Sequence, residues 1–306
     1  MTHPSIYVEA DWRGFDPWRI QPVRHRLMEH PALQLPALIE LGKRLESSGG
    51  VRTHGSGATA GTSFNHAPKL HPNNQGAAAT LADIEHAQAW MSLLNVQVDP
   101  PYRDLVDQVL DSLKPHIDAV DPGMSYRAGW IFVTSPGAVT PFHMDKEHNF
   151  ILQMRGHKRL YVWDPHDTVA VSEPARDLFH RGHSRDLVQW REELRQRAQV
   201  FDLTPGMGAY MPSTSPHMVE NGDEPSVTMS FTYYTRATRR DAQLHRTHEA
   251  MRRMGIAPPA VGRYPALDAL TLAAARMYAG AKRAVRLRGS DSMASDSLPY
   301  AIPGRH

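Results

Sequence analysis

The chain of 306 residues is long enough to bury a sizeable core, and its 41% hydrophobic and 22% charged content is that of a globular protein, not a disordered or fibrous one. Cysteine is absent, which excludes a disulfide framework, a thiolate zinc site and an iron–sulfur cluster, so any metal must be held by His and carboxylate. A net charge of +2 does not imply nucleic-acid binding by itself, and the sequence has neither a basic-then-apolar leader nor an apolar run of membrane-spanning length, so a cytoplasmic protein with no membrane partner is expected.

In chain order, Leu33, Leu35, Leu38, Ile39, Leu41 and Leu45 predict an apolar strand-like entry followed by a short amphipathic helix. The Gly-, Ser- and Thr-rich stretch that follows, through Pro68, predicts irregular structure, either solvated or wrapped over a site. Three- and four-residue apolar spacing predicts helices from Thr80 to Leu94 and from Pro101 to Ile117. Between Ser125 and Tyr234 the pattern changes to short runs of β-branched and aromatic residues separated by Gly, Pro and Asp turns. Trp130 to Val133, Phe150 to Met154, Leu160 to Trp163, Ala209 to Met211 and Val227 to Tyr234 read as strands of a barrel or sandwich. A polar insertion from Pro165 to Gln199 carries a predicted helix over Ser184 to Arg197. After Thr235 the chain turns helical and basic, with twelve Lys or Arg against three Asp or Glu over residues 236–288. Leu244, His248 and Met251 mark one helical face, and Leu267, Leu270, Ala274 and Met277 mark another. The last residues, 290–306, read as a flexible tail.

The chemistry is concentrated in two segments. His143 and Asp145 stand two apart in GAVTPFHMDKEHNFILQMRGHKRLYVWDP, so on a strand both project from one face and suit a single metal. A third ligand must come from a distant strand, and His217 in PGMGAYMPSTSPHMVENG is the best candidate. Two His and one carboxylate on one side of a metal leave coordination positions open, as Fe(II) and O2 chemistry requires.

These segments resemble the two motifs of the cupin superfamily. Gly137, His143, Asp145, Asn149 and Gly156 stand at the spacing of the first motif, and Gly206, Pro212, His217 and Asn221 at that of the second, with Thr214 in place of its middle Gly. Simple cupins carry His where this chain has Asp145 and Glu where it has Asn149. The substitution leaves three protein ligands and room for a bidentate co-substrate plus oxygen. A closer resemblance is to the JmjC-type hydroxylases, in particular the branch of the asparaginyl hydroxylase acting on hypoxia-inducible factor, through Thr140, Asn149 and Lys158. That resemblance implies a Lys158 paired with the distal carboxylate of 2-oxoglutarate, a Thr140 bonded to it, and an Asn149 near the chelating end. Tyr126 stands as a candidate for a further, tyrosine contact.

The resemblance implies a mainly β fold with flanking helices: a double-stranded β-helix (jelly roll, cupin/JmjC) core plus C-terminal helices. The expected division is residues 1–235 as the cupin-like domain, 236–289 as a helical segment that would make a homodimer in the resembled hydroxylases, and 290–306 as the tail. The expected function is an Fe(II)- and 2-oxoglutarate-dependent dioxygenase that hydroxylates a C–H bond of a protein side chain or small molecule, releasing succinate and CO2. Alternatives are N-methyl-lysine demethylation or RNA hydroxylation by the same chemistry, with the basic C-terminal helices meeting nucleic acid, or a non-catalytic ligand-binding cupin.

Overall fold

The computed structural model describes residues 7–289. The strands are β1 (Val8–Glu9), β2 (Gln21–His25), β3 (Val51–Gly55), β4 (Ala89–Leu93), β5 (Ser125–Thr134), β6 (Val139–His143), β7 (His148–Arg155), β8 (Lys158–Val162), β9 (Gln199–Leu203), β10 (Met207–Met211), β11 (His217–Asn221) and β12 (Ser226–Tyr234). The helices are α1 (Leu35–Glu46), α2 (Ala67–Leu70), α3 (Ala77–Ala82), α4 (Pro100–Asp118), α5 (Glu173–Gly182), α6 (Arg236–Arg253) and α7 (Pro265–Gly289). Eight strands form one sheet in the order β1-β2-β10-β7-β12-β5-β4-β3, and four form a second in the order β6-β11-β8-β9, with antiparallel pairing throughout. This is the expected jelly-roll core with flanking helices.

Period-two alternation sorts the side chains into three layers. On β12, Val227, Met229, Phe231 and Tyr233 join the large cluster that includes Leu38 and Leu41 of α1 and Leu105, Val109 and Leu113 of α4. The alternate residues of the two sheets meet inside the barrel, where Ile151, Leu160, Val162, Leu203, Ala209, Met211 and Val219 close one region with apolar packing. On the outer side of the four-stranded sheet, Phe142, Tyr161, Trp163 and Met218 are covered by Phe179, Val188 and Leu194 of the insertion. Both faces of each sheet are therefore covered over much of their area: β7 and β12 are buried almost end to end, and on β12 the residues turned into the barrel, Ser226, Thr228, Ser230 and Thr232, are small and polar.

Several local expectations are corrected. Thr80 to Leu94 is not one helix: α3 stops at Ala82, and Ala89–Leu93 forms β4, buried along its whole length between β3 and β5. Sheet pairing overrode a helical spacing that short apolar runs share with buried strands. The Gly-rich stretch after α1 contains β3 and is not wholly irregular. In the insertion, the regular helix is α5, begun by the Ser172 side chain capping the Ala175 N–H, whereas Glu192–Arg197 forms a short 3-10 turn.

By its contacts the chain divides into residues 1–239 and 240–306. In the second unit, Leu244 and His248 are buried as the first predicted face requires, and Leu272 and Asp268 are buried on α7. Leu267, Leu270 and Met277 are exposed instead, so the second predicted face is not the packed one. Asp268 accepts the Gly262 N–H at 2.8 Å, which fixes the turn before α7 and explains a buried carboxylate on an otherwise apolar side. The predicted tail lies outside the described residues. Among the described residues no helix is long and apolar enough to cross a membrane.

The motif glycines have a common backbone cause. Gly137, Gly156 and Gly206 have φ of 67°, 76° and 86°, the left-handed region where a Cβ is penalised. At Gly156 a Cβ would also lie 2.4 Å from the Pro225 carbonyl oxygen, whereas at Gly137 it would meet open space. Gly156→Ala is expected to lower unfolding stability by more than about 2 kcal/mol and Gly137→Ala by about 1 kcal/mol, read as shifts in urea midpoint at constant slope.

Candidate metal centre

The site starts from strand register. β6 and β11 pair antiparallel with His143 directly opposite His217, which brings the two imidazole centroids to 4.1 Å. Each ring is fixed by the same local device: His143 Nδ1 donates to the Pro141 carbonyl at 2.7 Å, and His217 Nδ1 to the Ser215 carbonyl at 3.0 Å. Both Nε2 atoms are thereby left as acceptors turned towards Asp145, each 3.7 Å from its Oδ2. Asp145 lies just past the end of β6, two residues beyond His143, and its carboxylate still reaches the His143 side. Its carbonyl accepts the Thr214 N–H at 2.8 Å, tying the turn after β6 to the loop before β11.

Ligand atoms of His143, Asp145 and His217 all lie within 4.8 Å of one another, a spacing that one metal ion can bridge. The protonation states suit that use. Burial, reinforced for His143 by the adjacent His217 ring, pushes both imidazoles below their ordinary range, so they stand neutral near pH 7. Burial alone would raise the Asp145 carboxyl, but the Arg185 guanidinium holds it well below the usual carboxylate range. Arg185 donates from Nε to Asp145 Oδ1 at 2.8 Å and from Nη2 to the same oxygen. One carboxylate oxygen is thus taken and the other points between the imidazoles.

Away from the triad the cavity holds the other motif residues. It is lined by Thr140, Asn149 and Lys158 as well as Arg52, Phe64, Trp90, Trp130, Phe132, Ile151, Arg185, Val219 and Ser230. Lys158 faces inward with Leu160 and is only 3% exposed. Among the described residues no carboxylate pairs with it, and burial pushes its ammonium down to about 7. The Thr140 hydroxyl accepts the Trp90 indole N–H at 2.8 Å, which frees its own proton for a ligand. Asn149 donates to Ser230 Oγ at 3.2 Å, and its amide oxygen is buried without a partner. A cavity with an unpaired ammonium and a free hydroxyl donor fits a small anionic ligand beside the triad.

Other sequence candidates fall elsewhere. Tyr126, with φ of 52° and 70% exposed, packs on Tyr234 and does not line the cavity. His148 is fully buried; its Nδ1 accepts the Ser213 N–H, and its Nε2 lies 3.4 Å from Asp121, so it is part of the packing behind the site. Asn221 of the second motif is structural, bonded to Thr134 Oγ1 and the Ala138 carbonyl. Sequence reasoning missed four residues. Trp90 was assigned to a helix. Phe64, stacked on His143 at 4.0 Å, and Arg52 belong to the Gly-rich stretch, where an isolated aromatic among small polar residues was the one available signal. Arg185 sits in the insertion without any motif.

Thr214 occupies the position of the missing motif glycine at φ of 62°, so a β-branched residue takes the left-handed conformation. A family model described as cupin-like domain matches residues 62–239, and the chain belongs to that family. No curated protein matches. Among solved structures, YcfD, a ribosomal oxygenase from Escherichia coli in complex with cobalt and 2-oxoglutarate, is 17% identical, with 58% of this chain and 40% of that chain covered at a TM-score of 0.35. DMSP lyase DddQ from Ruegeria pomeroyi DSS-3 is 16% identical over 35% of this chain and 38% of that one at 0.23. The chain spans less than half the length of these two structures. The family match is to the cupin-like domain as a whole, so the narrower likeness to asparaginyl hydroxylases rests on Thr140, Asn149 and Lys158.

Two outcomes are expected. Arg185→Ala raises the Asp145 carboxyl and weakens binding of Mn(II) or Fe(II) on the order of tenfold by calorimetry near neutral pH, with a larger loss at lower pH. Thr214→Gly stabilises the fold by about 0.5–1 kcal/mol in urea, the balance of roughly 2 kcal/mol of released strain and about 1 kcal/mol of added freedom in the unfolded chain.

Proposed function

We propose that this protein is an Fe(II)- and 2-oxoglutarate-dependent oxygenase that hydroxylates a C–H bond of its substrate. The observation that carries the reading is the pairing, in one cavity, of an open His-Asp-His triad with a buried ammonium that has no protein counter-charge. A binding module needs neither an incompletely ligated metal nor an unpaired interior Lys, which costs several kcal/mol unless an anion offsets it.

His143, Asp145 and His217 would hold Fe(II), the neutral rings through Nε2 and the carboxylate through Oδ2. Bound there, iron with 2-oxoglutarate supplies O2 activation, in which the 2-oxo acid becomes succinate and CO2 and one oxygen atom is delivered to carbon. The chain itself positions and protects. Lys158 neutralises the distal carboxylate as an ammonium, and Thr140, with its acceptor side held by Trp90, donates its proton to the same group. Asn149, on β7 in the same cavity, holds its amide NH2 against Ser230 Oγ and would stand near the chelating end. Trp90, Trp130, Phe132, Ile151 and Val219 supply apolar walls that keep water from the reacting carbon. Phe64, stacked on His143, restrains the ring whose Nε2 must stay aimed.

The direction of pH dependence follows from Lys158. Its ammonium is deprotonated above about 7 in the ligand-free cavity, while a dianion binds the protonated form. Affinity for 2-oxoglutarate is therefore full below that value and falls by roughly tenfold per unit well above it, with a proton taken up on binding. Anaerobic titration with Fe(II) and then 2-oxoglutarate should develop a visible charge-transfer band that is absent in His143→Ala. In Lys158→Met the band should need far more 2-oxoglutarate and should lose the pH slope. Absence of the band in iron-loaded wild-type protein would reject the oxygenase reading.

A further inference from the structure

Three cations face the cavity, and two are already explained. Arg185 is neutralised by Asp145 through two hydrogen bonds to one oxygen. Lys158 is matched by the distal carboxylate of 2-oxoglutarate, on the reading proposed above. Arg52 remains. It projects from β3, the edge strand of the large sheet, and its Nη2 donates to the Phe64 carbonyl, while its Nε is buried without a partner. Among the described residues no carboxylate lies within ion-pair distance of it. The neighbouring Asp186 is engaged by Ser63 Oγ at 2.6 Å, by the Asn65 N–H and by His66.

The placement of Arg52 separates it from the co-substrate end. Its guanidinium carbon lies 4.7 Å from the centre of the Phe64 ring, and that ring stacks on His143 at 4.0 Å. The Arg52 head is thus about one aromatic ring away from a metal ligand. Lys158 lies four residues along β8 from Val162, the partner of His217, on the order of 13 Å of extended chain from the level of the triad. Besides the polar Thr140, Asn149 and Ser230, the remaining walls are Trp90, Trp130, Phe132, Ile151 and Val219, apolar in the surface they offer apart from the indole N–H groups, of which that of Trp90 is committed to Thr140.

We infer that the substrate carries a carboxylate, held by Arg52 beside the metal centre, on an apolar or aromatic body packed against the tryptophan-lined wall. The unpaired Nε–H and the Nη protons not committed to Phe64 leave Arg52 with donors that a carboxylate would satisfy. A buried guanidinium with an unmade hydrogen bond is costly, and an anionic substrate removes that cost only when it is seated. The selection acts on charge first, since a neutral amide could accept only one guanidinium N–H and would set its own NH2 against another.

The test is a calorimetric titration of the full chain with two matched pairs: 3-phenylpropionate against 3-phenylpropionamide, and an N-acetyl-aspartyl peptide amide against its asparaginyl counterpart. Each is run in wild type and in Lys158→Met, which removes the competing cation. The acid of at least one pair is expected to bind more than about tenfold tighter than its amide in both proteins. The pair that discriminates tells a free acid from an acidic side chain. Arg52→Gln should erase the ratio, and Arg52→Lys, which keeps the charge but not the guanidinium donors, should retain part of it; unchanged thermal unfolding verifies both folds. Equal binding of acid and amide, no binding of either, or a ratio that survives Arg52→Gln overturns the assignment. These titrations need no turnover, so they read Arg52 separately from the charge-transfer band that decides the oxygenase reading.

Discussion

The antiparallel register between β6 and β11 is the constraint on which the site depends. It sets His143 opposite His217 across the four-stranded sheet, and each ring is then locked by a carbonyl two residues earlier in its own chain. A one-residue slip would turn one imidazole to the outer face, where Met218 and Phe142 pack under the insertion. The register is held from several sides: Asn221 bonds across to Ala138, the Thr214 N–H reaches the Asp145 carbonyl, and the Trp163 N–H takes the Pro216 carbonyl. The ladder takes up a bulge between His217 and Val219, and the left-handed residues Gly137 and Thr214 turn the chain into β6 and β11.

Inside the barrel, charge is distributed by distance from the triad. Arg185 and Asp145 form a compensated pair at the ligands, whereas Lys158 is buried without an internal anion and Arg52 keeps a buried donor unpaired. Such unmade interactions are expensive in a sheet packed on both faces, where water cannot substitute freely. The surrounding core sustains them: Leu160, Val162 and Val219 share the interior with Lys158, and the α1 and α4 layer stabilises the large sheet from outside. The strain of Thr214 and the uncompensated cations are local penalties that the surrounding packing must offset.

Much of this was legible because the informative signals are local. Motif spacing placed His143, Asp145, His217, Thr140, Asn149 and Lys158 along strands, and alternation within β8 put Lys158 on the side of Leu160. The residues that escaped are those brought in by long-range pairing. Trp90 lies on a segment whose apolar spacing also suits a helix, and only pairing with β3 and β5 makes it a strand that can point an indole at Thr140. Arg185 reaches Asp145 from 40 residues away, through an insertion with no regular pattern. Tyr126 failed for the converse reason: it sits at the start of β5 in a left-handed conformation that turns it to solvent.

The sequence by itself determined the donor chemistry, the cupin-like fold and the order in which ligands arrive. Residue type and short spacing suffice for those, since a turn needs its glycine and a metal needs its imidazoles whatever surrounds them. Only the tertiary structure decided which cations are compensated and which are free, because an ion pair such as Arg185 with Asp145, or its absence at Arg52, depends on which distant segments the sheets and the insertion bring within a few ångströms of one another.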